Sequence, residues 1–255
     1  MDSKLFSRTG GTRTVLAPDH ALIAPDGHVV STLPSWSDTG GSNAKGVILI
    51  SPAMGAKLAQ TLVFLEPATT YYFEPSPGIE AIFYVMEGEL ECESDALRSG
   101  SFGFLPVGER LRFNAQSAAK IVVFEKRYAP KPGLSIPARR FGHADTIKGQ
   151  PFMGDPDATL QVLFPETPEF DMAVNIFTYQ PGATLPFAET HIMEHGLLML
   201  DGMGIYRLND SWYPVSAGDC IWMAPYCPQW FGALGKEPSR YIYYKDVNRD
   251  AMEAL

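Results

Sequence analysis

The chain has 255 residues, 45% of them hydrophobic, which is enough for one large all-β domain or two of ordinary size, with material for a substantial core. Its formal charge of −9, with no basic run longer than Arg139-Arg140, argues against a nucleic-acid or anionic-membrane surface, and solubility accounts for the acidity. No stretch approaches the ~20 apolar residues of a membrane helix, and the start Met1-Asp2-Ser3-Lys4 lacks the apolar centre of a secretion signal. Three cysteines, Cys92, Cys220 and Cys227, in no metal-type spacing read as reduced thiols. The expectation is a cytoplasmic protein.

Glycine (23) and proline (21) favour many short strands joined by punctuated turns. In chain order, a first unit runs from Ile82 through an apolar strand to Gly88. It continues over Leu97 to Pro106 and closes in Ile121-Val-Val-Phe124. Tyr128 to Pro151 is rich in Pro, Gly and basic residues without an apolar period and reads as a connector, with a boundary about Pro130 to Gly149. The same order then returns: Gly196 to Tyr206 around Gly202, Pro214 to Pro225 around Gly218, and the closing strand Tyr241 to Lys245. This predicts an all-β chain of two tandem antiparallel barrels, one over residues 1–135 with an N-terminal extension and one over 136–255 with the linker.

The second copy carries the chemistry. Glu189-x-His191-x-x-x-His195, followed by Gln229, puts four metal-capable side chains in one short block. On a strand, Glu189 and His191 would share a face. Imidazoles, a carboxylate and an amide oxygen suit a divalent ion such as Mn, Fe, Co, Ni or Zn in a catalytic centre with an open position, whereas a structural zinc site leans on cysteines. When Ala81 is matched to His195, each separated from a glycine by six residues, His191 and Glu189 fall on Pro77 and Pro75, and Gln229 falls near Leu111. The first barrel is therefore expected to be metal-free, with Glu80 an ordinary charged residue. His20, His28 and His143 are expected to be structural, and Met193, Met199 and Met223 to line core or pocket. Trp212, Trp222 and Trp230 are expected to pack the barrel or an interface, with Trp230 beside Gln229 able to touch substrate.

Gly182, then Glu189-x-His191-x3-His195-x6-Gly202, resembles the first cupin motif, and Gly218, Pro225 and Gln229 resemble the second. Glu stands where cupins place the first His, His where they place the Glu, and Gln where they place the last His. This altered set is similar to that of the (S)-ureidoglycine aminohydrolases, a bicupin family of purine and allantoin breakdown. The similarity extends over Ser7-Arg8 to Leu33-Pro34, around Asp19-His20-Ala21-Leu22 and Pro25-Asp26, over Phe124 to Tyr128, and over Gly204 to Asp250. Its most specific part is Ala224-Pro225 to Gln229-Trp230 and Ala233 to Lys236.

The resemblance implies a Mn2+ ion held by Glu189, His191, His195 and Gln229. It also implies a homo-oligomer that replaces the amino group of (S)-ureidoglycine with a hydroxyl, giving (S)-ureidoglycolate and ammonia. It maps substrate contacts onto Tyr206, Tyr241 and Lys245. Tyr241, Tyr243 and Lys245 also alternate on the last strand, so period two puts them on one face, with Lys245 the choice for the substrate carboxylate; exposure at the strand end with a pairing to Asp246 is the alternative. Glu189 is a candidate for proton transfer as well as ligation. Two rival readings remain open: a cupin dioxygenase with an iron site of two histidines and a carboxylate, and a non-enzymatic small-molecule-binding bicupin.

Overall fold

The computed structural model describes residues 14–24, 44–249 and 252. His28, and the parts of the resemblance at Ser7-Arg8, Pro25-Asp26, Leu33-Pro34 and Asp250, lie outside them. The chain's regular secondary structure is almost entirely strand. It runs β1 (Val15–Leu16), β2 (His20–Ile23), β3 (Ala44–Ile50), β4 (Leu58–Leu65), β5 (Thr70–Phe73), β6 (Ile79–Glu87), β7 (Glu89–Cys92), β8 (Asp95–Arg98), β9 (Ser101–Leu105), β10 (Leu111–Ala115) and β11 (Ala119–Arg127). It continues with β12 (Arg140–His143), β13 (Gln150–Phe152), β14 (Asp155–Val162), β15 (Met172–Tyr179), β16 (His195–Asp201), β17 (Met203–Leu208), β18 (Ser211–Ser216), β19 (Cys220–Met223), β20 (Gln229–Leu234) and β21 (Ser239–Asp246).

Two sandwiches result. In one, a six-stranded sheet ordered β12-β9-β6-β11-β4-β3 faces a four-stranded sheet ordered β5-β10-β7-β8. In the other, an eight-stranded sheet ordered β1-β2-β19-β16-β21-β15-β14-β13 faces a three-stranded sheet ordered β18-β17-β20. The sequence pattern explains the layering. β7 alternates exposed and buried residues, as a strand with one face on the core does. β6 and β11 are apolar runs buried along most of their length. Equivalent tight turns close both copies: Gly88 (φ +88°) and Gly202 (φ +75°) lie at left-handed φ, where an added Cβ would come within 2.3 Å of Ala118 O and 2.6 Å of Pro238 O, so only glycine fits.

The internal repeat is visible in the register. Ala81 on β6 pairs with Leu105 on β9 and Glu125 on β11; His195 on β16 pairs with Met223 on β19 and Lys245 on β21. The row that holds an imidazole and an ammonium in the second copy thus holds Ala81 and Glu125 in the first. Rings fill the first interior: Phe83 meets Phe113 at 5.1 Å between centroids, and Tyr71 stacks on Phe113 at 6.1 Å. Each fully buried side chain of this kind contributes about 1.5–3 kcal/mol.

Three features depart from the sequence expectations. The connector read over Tyr128 to Pro151 supplies a strand, β12, that pairs with β9 at the edge of the six-stranded sheet. β1 and β2, read as an extension of the first barrel, instead join the second: β2 pairs with β19, His20 opposite Met223. By contacts, residues 14–24, 148–165 and 172–247 form one unit, and 44–147, 166–171 and 248–249 the other. Finally, Glu80 is 1% exposed rather than an ordinary surface charge. Burial, and then the neighbouring Asp171 carboxylate, push its carboxyl up to about 10. Asp171 is buried too, but the protonated Glu80 beside it, an ion pair with Lys126 Nζ at 2.8 Å and the Ala129 N–H at 2.7 Å outweigh burial and hold it below the usual carboxylate range.

Candidate metal centre and substrate cavity

The site is built where β16 and β20 begin. His195 and Gln229 are the first residues of these strands. The approach to them, residues 186–194, is not the regular strand expected from the Glu189-x-His191 spacing; Pro186 interrupts it, and one isolated bridge, Glu189 to Gln229, fixes it instead. That bridge is reciprocal, with the Glu189 N–H donating to Gln229 O at 2.8 Å and the Gln229 N–H to Glu189 O at 2.9 Å. On the other side a turn closed by the Cys227 N–H to Ala224 O (3.1 Å) carries Pro225 and then Tyr226 at φ +66°. Its Tyr226 N–H holds His191 O at 2.7 Å.

Backbone carbonyls set the tautomers of both histidines. The His195 Nδ1–H donates to Tyr244 O at 2.9 Å, and the His191 Nδ1–H donates to Met193 O at 3.1 Å. The two Nε2 atoms face each other 3.1 Å apart. Burial first, and then His191, push the His195 imidazolium down to about 3, so this ring is neutral at physiological pH. The Gln229 amide reaches within 2.8 Å of His191 Nε2, and a half-turn puts its carbonyl oxygen there. Two imidazoles oriented by backbone carbonyls with their Nε2 atoms converging, and an amide beside them, fit a divalent ion.

Glu189 is half-buried in the same wall. Burial raises its carboxyl above the ordinary value, partly offset by His191 and Lys245. Among the described residues a cluster of His, Cys and carboxylate groups also lies elsewhere: Asp19, His20 and Cys227, whose ligand atoms are mutually within 4.8 Å. That cluster is satisfied internally. His20 meets Asp19 Oδ1 at 2.8 Å and Tyr213 Oη at 2.9 Å, and the Asn209 amide N–H donates to Asp19 Oδ2 at 2.7 Å. It clamps β2 to the barrel, in keeping with a structural His20. His143 is structural as well, meeting Ser99 O at 3.0 Å and accepting from the Asp145 N–H at 3.2 Å.

The four ligand candidates open onto a cavity of about 170 Å³. Lys245, opposite His195 on β21, lines the same end, and Tyr206, Tyr241 and Tyr243 line the rest with Phe177. The four ligand candidates and the substrate-contact candidates Tyr206, Tyr241 and Lys245 thus line one cavity. Met193 and Met223 line it also, whereas Met199 is packed in the core. Trp222 turns away and donates its Nε1–H to Glu194 Oε1 at 2.6 Å, and Trp230 donates to Leu185 O at 2.8 Å. Sequence reasoning passed over Asn175 and Tyr179, whose side chains meet Tyr243 Oη at 3.4 Å and Tyr241 Oη at 3.0 Å. The alternation Ala173, Asn175, Phe177, Tyr179 on β15 was the available signal.

Two antiparallel barrels in tandem, one packed solid and one with a ligand set around a polar-mouthed cavity, define a two-barrel cupin. Residues 175–244 match the cupin domain family. Over its length the chain is similar to the probable (S)-ureidoglycine aminohydrolase of Oryza sativa subsp. japonica, at 39% identity over 95% of this chain and 78% of the relative. It is similar to the (S)-ureidoglycine aminohydrolase of Arabidopsis thaliana, at 38% identity over 98% and 83%. The crystal structure of protein Ylba from E. coli superposes with a TM-score of 0.83 at 30% identity, over 98% of this chain and 99% of that one. The chain belongs to the (S)-ureidoglycine aminohydrolase family.

Proposed function

We propose that the protein releases ammonia from (S)-ureidoglycine to give (S)-ureidoglycolate, with Glu189, His191, His195 and Gln229 holding a divalent ion, Mn2+ the first candidate. The observation that carries this is the pair of Nε2 atoms facing each other at 3.1 Å inside a cavity that also presents Lys245. Bound there, the ion supplies Lewis acidity and brings water to useful acidity near neutral pH. The protein's own groups do the rest. Lys245 binds the substrate carboxylate. Glu189, the carboxylate that lines the cavity, suits proton transfer between the incoming water and the departing ammonia, in which a C–N bond breaks and a C–O bond forms. Tyr206 and Tyr241 hydrogen-bond the substrate and, with Phe177, keep bulk water from it.

The same reading makes the protein a cytoplasmic homo-oligomer that takes a small-molecule substrate and neither nucleic acid nor membrane. No helix among the described residues is long and apolar enough to cross a membrane. The test is elemental analysis of purified protein, followed by a coupled assay in which allantoate is converted to ureidoglycine in place and ureidoglycolate is resolved by enantiomer. Ammonia release without oxygen uptake is expected. Equal rates of product with and without the protein defeat the proposal, and oxygen uptake favours the dioxygenase.

A further inference from the structure

Tyr179 is the last residue of β15 and is fully buried. Its ring packs on Phe177 (5.3 Å between centroids), Phe231 (5.0 Å) and Tyr241 (5.7 Å). Among the described residues its Oη has one hydrogen-bond partner, Tyr241 Oη at 3.0 Å, and Tyr241 has no other. The two phenols differ in one respect: Tyr241 lines the cavity and Tyr179 does not.

That difference fixes the direction of the bond. If Tyr241 donated, the Tyr179 hydrogen would be left among aromatic rings with nothing to receive it, and an unpaired buried donor loses its full hydration. If Tyr179 donates, its hydrogen is satisfied and the Tyr241 hydrogen turns into the cavity. A hydroxyl that already accepts one bond is a stronger donor of the next. Burial raises both phenols far above neutral pH, so neither can become an acceptor-only phenolate.

We propose that Tyr179 is a positioning residue that locks Tyr241 as a donor into the cavity, so that this end of the pocket selects a substrate oxygen and rejects an amino or other donor-only group. On the functional reading above, with the carboxylate at Lys245, the selected oxygen is the carbonyl of the ureido group. The substrate is thereby threaded one way, with its ureido carbonyl toward the phenols and its α-carbon toward the metal ligands.

The test uses the full-length, metal-loaded protein. Tyr179→Phe removes the donor and leaves the ring in place. KM for ureidoglycine is expected to rise about three- to tenfold, the size of one neutral hydrogen bond, with kcat within about twofold. The same substitution on a Tyr241→Phe background is expected to change nothing further, because Tyr179 acts through that hydroxyl. In parallel, calorimetry of ureidoacetate against guanidinoacetate, which is similar in shape but presents only donors at that end, is expected to show about tenfold preference for ureidoacetate in the wild type and little in Tyr241→Phe. An unchanged KM, an effect of equal size on the Tyr241→Phe background, or no preference between the two acids overturns the proposal. A wild-type protein that prefers ureidoacetate but does not turn over ureidoglycine overturns the functional reading and leaves the relay standing.

Discussion

Lys245→Met removes the one ammonium that lines the cavity and keeps an unbranched stem of similar length, so packing on β21 is retained. Lys245 is half-buried and sits opposite His195. A charge-assisted hydrogen bond to a carboxylate in such a place is worth about 1.5–3 kcal/mol, or about ten- to a hundredfold in kcat/KM. The loss is expected mainly in KM, because the carboxylate is bound in ground and transition states alike. Steady-state kinetics, with metal content measured on the same samples, reads the loss. A kcat/KM within twofold of wild type at unchanged metal content would refute the assignment of Lys245 to the carboxylate, and a lost metal would show that it acts on the ion site instead.

Exhaustive chelation is expected to abolish turnover and to lower the thermal midpoint, and His191→Ala or His195→Ala is expected to purify with little metal; elemental analysis checks this, and full activity after chelation contradicts it. Glu80 binds a proton in the folded protein that the unfolded chain releases near pH 4.5, so this group's contribution to stability falls as pH rises from there toward about 10. Glu80→Gln, which cannot ionise, is expected to flatten the decline in urea midpoint between pH 7 and about 9.5; parallel curves for the two proteins would refute this. Gly103→Ala would place a Cβ 2.4 Å from the Phe83 ring and 2.5 Å from Phe141, and is expected to cost about 1–3 kcal/mol by urea denaturation without altering metal content.

What could be read from the sequence was local. The doubled order of strand, glycine turn and strand leaves its mark in period-two apolar runs and in glycines at left-handed φ, such as Gly88 and Gly202, so the two barrels were legible. The ligand candidates were legible for the same reason, as unusual residue types crowded into one block. The local geometry around them was not. Glu189 and His191 lie in an irregular segment whose shape depends on a bridge to Gln229, forty residues on. Edge pairings such as β2 with β19 and β12 with β9 leave no local trace, because any exposed edge of suitable length could accept them. Glu80 resembles a solvated charge until the sheet face it occupies is covered, and Tyr179 resembles any core aromatic until Tyr241 is placed beside it.

The pairing of β2 with β19 has a bearing on how the chain is made. His20 and Tyr213, which bond at 2.9 Å, are separated by 193 positions. At a translation rate of about 5–20 residues per second, roughly ten to forty seconds pass between their synthesis on the ribosome. Through that interval β2 has only β1 beside it, whereas β3 to β11 of the first barrel have met all their neighbours. One half has all its strands in hand while the half that keeps a cavity open still waits for the strands that complete its sheets.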